Sequence, residues 1–452
     1  MMRSLFAGVS GLRTHQTRMD VIGNNIANVN TYGFKAARVT FADLFSQTIA
    51  GAGGPNQDTG RGGTNPRQVG LGVTLATIDN LMTQGALQNT DNPTDLALEG
   101  SGFFIVQGGR FDSYKFTRAG NFGLDKLGNF VNGDGLNVMG WQSYVQESNG
   151  NFVFDTEQPL EALNIYQDIH NGNKRVLQPR VTSDVQITGN LDADVTVNPA
   201  PTPGTDQAHF TVPMVVYDKL GNSYSVNLAM YKIAADETGS TWGIYPGQPI
   251  NTSGNYSFTL APGSLTTIQF DVYGKYVPPS GGATSYIGSV DLFTGATNVT
   301  GTDNFEFEFD LAYMTSYSAD NTAKAMFVSG YPTGTLLDFS VGTDGIITGV
   351  YSNGQQRPLG MVALAVFENP AGLAKLGNNL YQPTTNSGDF RKAVRAGMEG
   401  AGTFAPGKLE MSNVDLSREF TDMIITQRGF QANSRIITTS DEMLQELVNL
   451  KR

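Results

Sequence analysis

The sequence predicts a mainly β protein with nested β domains, the distal one inserted into the proximal one, and a terminal α-helical, coiled-coil-like pair. Three observations carry that prediction. Near the C-terminus, Leu416, Phe420, Met423, Gln427, Phe430, Ser434, Ile437, Asp441, Leu444 and Val448 alternate by four and three, the spacing of a helix made to lie along another helix. Near the N-terminus, Leu5, Val9, Leu12, Gln16, Met19, Gly23 and Ile26 repeat the same alternation. Between them, 54 glycines and a charged fraction of 15% suit turn-rich antiparallel sheet better than an α/β enzyme.

Residues 4–28 predict a helix about 37 Å long, its apolar stripe narrow and flanked by Arg13, Arg18 and Asp20. The asparagine cluster Asn24, Asn25, Asn28 and Asn30 ends it, since Asn favours turns and tolerates left-handed backbone. Residues 29–91 read as an extended linker. Short extended pieces fall at 39–45, 73–75 and 86–88, and a Gly-rich segment at 50–70 offers almost nothing for a core.

From residue 92 the pattern is β. Phe103-Phe104-Ile105-Val106 reads as a buried strand, and Tyr114, Phe116, Phe122, Phe130 and Val138 mark successive strands separated by turns at 125–128 and 132–135. The proximal β domain is assigned to 92–143 and 335–409. The distal β domain is assigned to 144–334, with a hairpin at 212–231 turning through Asp218–Asn222 and a strand, Phe305-Glu306-Phe307-Glu308-Phe309, that puts its acids on one face. Residues 346–367 form a second long hairpin around Asn353-Gly354.

Residues 410–452 return to helix, with Ser412 as N-cap and Asp415 in the first turn. Roughly 55 Å of continuous helix exceeds what a globular core covers. Together with residues 1–28 it forms a terminal helical domain. Pattern alone also allows two surface helices on an ordinary domain, and seam-bearing helices without a partner stay disordered until something packs on them.

Cysteine is absent, which excludes disulfides and thiolate chemistry. A formal charge of −12 argues against nucleic acid or an anionic membrane as partner. The ends are nearly balanced, with five bases and two acids in residues 1–50 and five bases and six acids in 413–452. The acidity therefore sits in the middle. No apolar run is long enough to span a membrane, and Arg13, His15 and Arg18 interrupt any secretory h-region.

Catalytic patterns are missing. His15, His170 and His209 lack ligand spacing. There is no phosphate-binding glycine loop and no nucleophile elbow. Asn132-Gly133-Asp134-Gly135 lacks the downstream acids of a calcium loop. Glu306, Glu308, Asp310 and Asp320 read as a solvated strand face. No enzyme, cofactor or metal site is predicted.

The ends carry a resemblance. Leu5-Phe6-Ala7-Gly8-Val9-Ser10-Gly11-Leu12, then Met19 through Lys35 with Gly23-Asn24-Asn25-Ile26-Ala27-Asn28 inside it, is similar to the opening of the bacterial flagellar rod and hook axial protein family. Ser412-Asn413-Val414-Asp415-Leu416-Ser417, Met423-Ile424 and Gln427-Arg428 resemble the family's closing motif, and Gly102-Phe103-Phe104 and Thr117 to Phe122 its first β domain. Rod-type members lack a large distal domain, so the chain resembles the hook-type members most.

The resemblance implies a structural subunit of the flagellar hook, exported unfolded through the flagellar type III export apparatus without a cleaved signal. It implies self-assembly into a helical tube that passes motor torque round a bend as a universal joint. The implied partners are further copies of the chain, the flagellar rod, the hook cap and the hook-associated junction proteins, with no nucleic acid and no membrane insertion. The polymerisation interface is assigned to Leu5, Val9, Leu12, Met19, Ile22, Ile26, Leu416, Phe420, Met423, Phe430, Ile437 and Leu444.

Two other classes remain open at this point, a distal rod-type subunit of a rigid shaft and a surface β-sandwich adhesin. Residues 48–68 resemble an insertion relative to many hook-type members, which implies added contacts between neighbours and a stiffer tube. Some members cross-link through cysteine, a route closed to this chain.

Overall fold

The computed structural model describes residues 2–55, 62–109, 112–147, 151–202, 206–247, 256–278, 286–292 and 303–450. Two long helices frame the chain, α1 (Met2–Ala27) and α2 (Leu416–Asn449). α2 is capped by Asp415, whose carboxylate accepts the backbone N–H groups of Ser417 and Arg418 at 2.9 and 3.3 Å. The expected cap, Ser412, lies upstream and only accepts from the Val414 N–H. An anionic oxygen satisfies two orphan donors and also complements the positive helix end, so Asp415 takes the role.

Between the helices the chain is β and divides into two compact units. One comprises Met1–Gly172, Phe339–Gly349 and Arg357–Arg452, the other Asn173–Asp338 and Val350–Gln356. The second is therefore an insertion in the first, as the nested pattern predicts.

In the first unit, strand Phe103–Gln107 pairs with Lys115–Thr117 on one side and Asn137–Trp141 on the other. The returning chain closes the sheet. Gln356–Val362 pairs with Asn137–Trp141, and Leu380–Gln382 pairs with Lys115–Thr117. Phe103, Ile105, Phe116, Trp141, Met361 and Tyr381 form its core. This unit extends past the 143/144 boundary read from the sequence. Glu161–Ala162 still pairs with Asn137–Trp141, and Phe154 and Leu160 pack into the same core.

The second unit holds two five-stranded sheets among the described residues, sharing one core that includes Val185, Val212, Val226, Trp242, Ile268 and Phe307. Phe210–Tyr217 and Ser223–Asp236 form the expected hairpin. Its turn is held by buried Asp218, whose carboxylate accepts from Leu220 N, Asn222 N and the Tyr224 hydroxyl. Phe305, Phe307 and Phe309 point inward while Glu306 and Glu308 face solvent.

The stretch read as a linker is more structured than its glycines suggested. β1 (Ala37–Asp43), β2 (Ser46–Ala50), β3 (Arg67–Gly70) and β4 (Val73–Asn80) pair as a two-part hairpin, β1 with β4 and β2 with β3. Val39 lies opposite Ile78 and Phe41 opposite Leu75, and such apolar cross-strand pairs stabilise a ladder. Residues 56–61, the middle of the Gly-rich segment, lie outside the described residues.

A buried ionic knot ties the roots of both helices to the first unit's sheet. Glu410, fully buried just before α2, accepts from the Lys35 ammonium at 2.7 Å, the Arg118 guanidinium at 3.3 Å and the Gly85 N–H at 2.9 Å. Lys35 also donates to Thr83 O at 2.7 Å, and Arg118 to Gly100 O at 2.7 Å. Asn413 completes the knot, accepting from Ala36 N and donating to Leu81 O, both at 2.8 Å. Burial pushes the Lys35 pKa down, against the opposing pull of Glu410. Burial also pushes the neighbouring Tyr381 phenol up to about 12.

Breaking such a pair leaves an unmatched buried charge, which costs about 3–5 kcal/mol. Glu410→Ala should therefore lower the unfolding free energy of this unit by about that amount, measured by denaturant titration. A loss no larger than that of an exposed substitution would contradict a structural role for the knot.

Candidate functional site

α1 and α2 pack antiparallel, in contact along most of α1. Ser4 meets Ser440 at 3.4 Å, Arg18 bridges Asp422 at 2.9 Å, and Asn25 donates to Glu419 at 3.2 Å. Between these polar contacts the helices approach closely because side chains are missing. A Cβ on Gly11 would lie 2.6 Å from Asn433 Nδ2, and one on Gly429 would lie 2.8 Å from the His15 ring. At both positions an added Cβ would force the facing side chain to shift, so glycine lets Asn433 and His15 lie where they do. Buried Thr14 and Thr426 fold their hydroxyls back onto their own helices, to Gly11 O at 3.0 Å and Asp422 O at 2.6 Å.

The paired face thus follows Ser4, Gly8, Gly11, His15, Arg18, Ile22 and Asn25, a four-three alternation one residue ahead of the apolar stripe read from the sequence. On α2 the paired face is shifted in the same direction, through Glu419, Asp422, Thr426, Gly429, Asn433 and Ser440. The small residues were the overlooked signal, since Ser4, Gly8 and Gly11 already show the spacing.

Of the twelve assigned interface residues, Ile22 is buried in the pair, at 4% exposure, and the half-buried Ile437 packs over Gly8, its Cγ1 3.2 Å from where a Cβ there would sit. Val9, Leu416 and Phe420 are exposed, Phe420 at 50%. Leu5, Leu12, Met19, Ile26, Met423, Phe430, Ile437 and Leu444 are half-buried. At about 100° per residue both stripes sit roughly a quarter-turn from the paired face. Because the helices run antiparallel and both stripes follow the paired residues by one position, they line the same side of the pair. Among the described residues that side is one shared apolar surface, exposed at Val9, Leu416 and Phe420 and half-buried elsewhere.

The other flank of α1 carries the hairpin. Ser10 Oγ accepts from Val73 N at 3.2 Å, and Asn25 exchanges two hydrogen bonds with Ala37, at 2.8 and 3.0 Å. His15 packs edge-on against Phe41 with ring centroids 5.6 Å apart. Its Nδ1 is buried and meets no hydrogen-bond partner among the described residues. Burial, with the nearby Arg18 charge, holds the His15 pKa below the usual imidazole value. Burial pushes the Glu419 carboxyl up, against the hydrogen bond from Asn25.

The other histidines serve local structure. His170 lies 3.2 Å from Glu161, and His209 Nδ1 accepts from Lys232 N at 2.9 Å. Among the described residues no cluster of three or more His, Cys, Asp or Glu could hold a metal ion, and no helix is long and apolar enough to cross a membrane.

Four family descriptions match the chain in order. They are a flagella basal body rod protein at 5–35, a flagellar hook protein FlgE/F/G D1 domain at 97–190, a flagellar basal body protein FlaE D2 domain at 190–331, and a flagellar basal body rod FlgEFG protein C-terminal at 405–450. The flagellar hook protein FlgE of Treponema pallidum is 39% identical, and that of Borreliella burgdorferi 40%, each match covering 100% of both chains. The chain belongs to the flagellar hook protein family. A flagellar basal-body rod protein FlgG of Bacillus subtilis is 30% identical, again over 100% of both chains. The two end descriptions, both of rod proteins, fall on α1 and α2, and the likeness to the rod protein FlgG runs through the β domains as well.

Two predictions follow from the pair. Gly429→Ala would drive a methyl into the His15 ring, and hydrogen exchange should show faster opening of α1 and α2 with the sheets unchanged. Acidification should loosen the pair as well. His15 has a depressed pKa when docked, so the undocked chain binds the proton first. Docking is then complete above the free imidazole value of 6.5 and weakens as pH falls from there through the lower docked value. Glu419 acts in the opposite sense but nearer the carboxylate range. Exchange of α1 amides should speed up on going from neutral pH to below 6.5, after correction for intrinsic exchange, and His15→Phe should abolish that dependence.

Proposed function

We propose that this hook subunit polymerises through the uncovered apolar side of its terminal helix pair. One observation carries the reading. The two helices satisfy each other with glycines and polar contacts, while Phe420 and the half-buried Leu5, Leu12, Met19, Met423 and Phe430 are left beside the seam. Burying one such side chain is worth about 1.5–3 kcal/mol, so a row of them on two helices drives association strongly.

The contact is heterologous, because the side is formed by two different helices and meets a different surface on the next copy. Repeated with a helical step it propagates an open helical assembly rather than a closed ring. In this reading residues 1–28 and 410–452 are the polymerisation domain, and the tube bends by sliding between the β domains of neighbouring copies. The tube passes motor torque to the filament as a universal joint. The protein is structural and has no catalytic role or cofactor. It leaves the cell unfolded through the flagellar type III export apparatus, without a cleaved signal, and assembles in the hook of the flagellum between the rod and the hook-associated junction proteins, beneath the hook cap.

Phe420→Asp with Met423→Asp tests this directly. The β-sheet circular dichroism signal should be unchanged and polymerisation, followed by sedimentation and electron microscopy, should be lost. Deletion of 413–452 should have the same effect on assembly. Normal polymers from either variant would refute the proposal.

A further inference from the structure

α2 carries a second apolar stripe that neither the helix pair nor the shared side uses. Ile425, Ile436, Met443 and Leu447 are 55, 43, 50 and 49% exposed. At about 100° per residue they run roughly 70° from the paired face on the side away from Phe420 and Met423. At its N-terminal end this stripe opens into a groove between β1 and the start of α2. Arg18, Arg38, Val39, Arg418, Thr421 and Asp422 line it.

The groove is basic. Three arginines stand against one aspartate. Arg18 is engaged by Asp422 at 2.9 Å, and Arg38 reaches Asp79 at 3.3 Å in a solvent-exposed pair. Arg418 makes no ion pair among the described residues. Two further acids lie nearby, but Asp415 caps α2 and Glu419 is tied to Asn25.

The other end of α2 has the complementary character. Asp441, Glu442 and Glu446 lie on its last turns with no base in the final turn, and the helix C-terminus adds its own negative dipole end. Lys451 and Arg452 lie outside the described residues. Met443 and Leu447 stand among these acids and extend the apolar stripe.

We propose that the arginine groove at the root of α2 receives the acidic C-terminal end of α2 from a second copy of the chain. This rests on the reading of the protein as a self-assembling subunit. It adds a second, head-to-tail contact, distinct from the shared apolar side. Acid and arginine pairing sets the register and excludes the reversed orientation, in which the basic grooves of two copies would face each other. The apolar stripe supplies the contact area. Two different contacts on one subunit are what a tube wall requires, since a single heterologous contact makes only a strand or a ring.

The absence of native cysteine makes the test clean. Residues 418 and 446 are about 42 Å apart along one helix, so a disulfide between them cannot form within a chain. Arg418→Cys with Glu446→Cys is polymerised, oxidised and run on a non-reducing gel. A ladder of covalent multimers is expected, and with the two cysteines on separate chains, mixed, covalent dimers alone. The control Arg428→Cys with Glu446→Cys should give no ladder. Polymers that run as monomers, or an equal ladder from the control, would overturn the contact. Failure of the unmodified chain to polymerise would instead overturn the self-assembly reading beneath it.

Discussion

The structure depends on how closely α1 can approach α2. Gly8, Gly11 and Gly429 remove the side chains that would crowd the seam, and apart from Ile22 and Ile437 the remaining positions are small or polar. In an ordinary coiled coil the apolar seam faces the partner helix, and the outer faces are charged. Here the seam between the helices is lean, and the large apolar groups stand beside it. The pair holds through shape and polar contacts and leaves its apolar groups beside the seam. In the proposed reading a subunit built this way stays a defined unit and still has a strong drive to associate.

The buried knot around Glu410 does the complementary work at the helix roots. Lys35 follows α1 and Glu410 precedes α2, so their contact at 2.7 Å fixes where both helices leave the sheet. Arg118 carries that constraint into the sheet itself. Buried charges of this kind contribute little net stability but penalise every arrangement that separates them. A joint that must transmit torque needs the connection between helix and sheet to be stiff, and a cluster that tolerates one geometry provides that.

Much of this was legible in the sequence. The helix ends were marked by the four-three repeats, and the nesting by strands that resume after residue 334. The strict alternation of Phe305–Phe309 identified an inner and an outer face. What escaped is instructive. Apolar periodicity located the right helices but assigned the paired face one residue late on each, because large residues dominate such patterns and glycine contributes nothing to them. The linker at 29–91 proved to contain a hairpin because its ladder rests on a few pairs, such as Phe41 with Leu75, separated by a long Gly-rich stretch. The knot was invisible for a different reason. Lys35, Arg118 and Glu410 are far apart in sequence, and only the closed sheet brings them together.

The central claim is that the side bearing Phe420, Met423 and Phe430 is at least partly open to solvent in the free subunit and covered in the polymer. Hydroxyl-radical footprinting of these three side chains and of Met19, in monomer and in assembled tubes, measures that most directly. The account predicts ready labelling of the monomer and strong protection in the tube. Equal labelling in both states, with tubes formed, would contradict it.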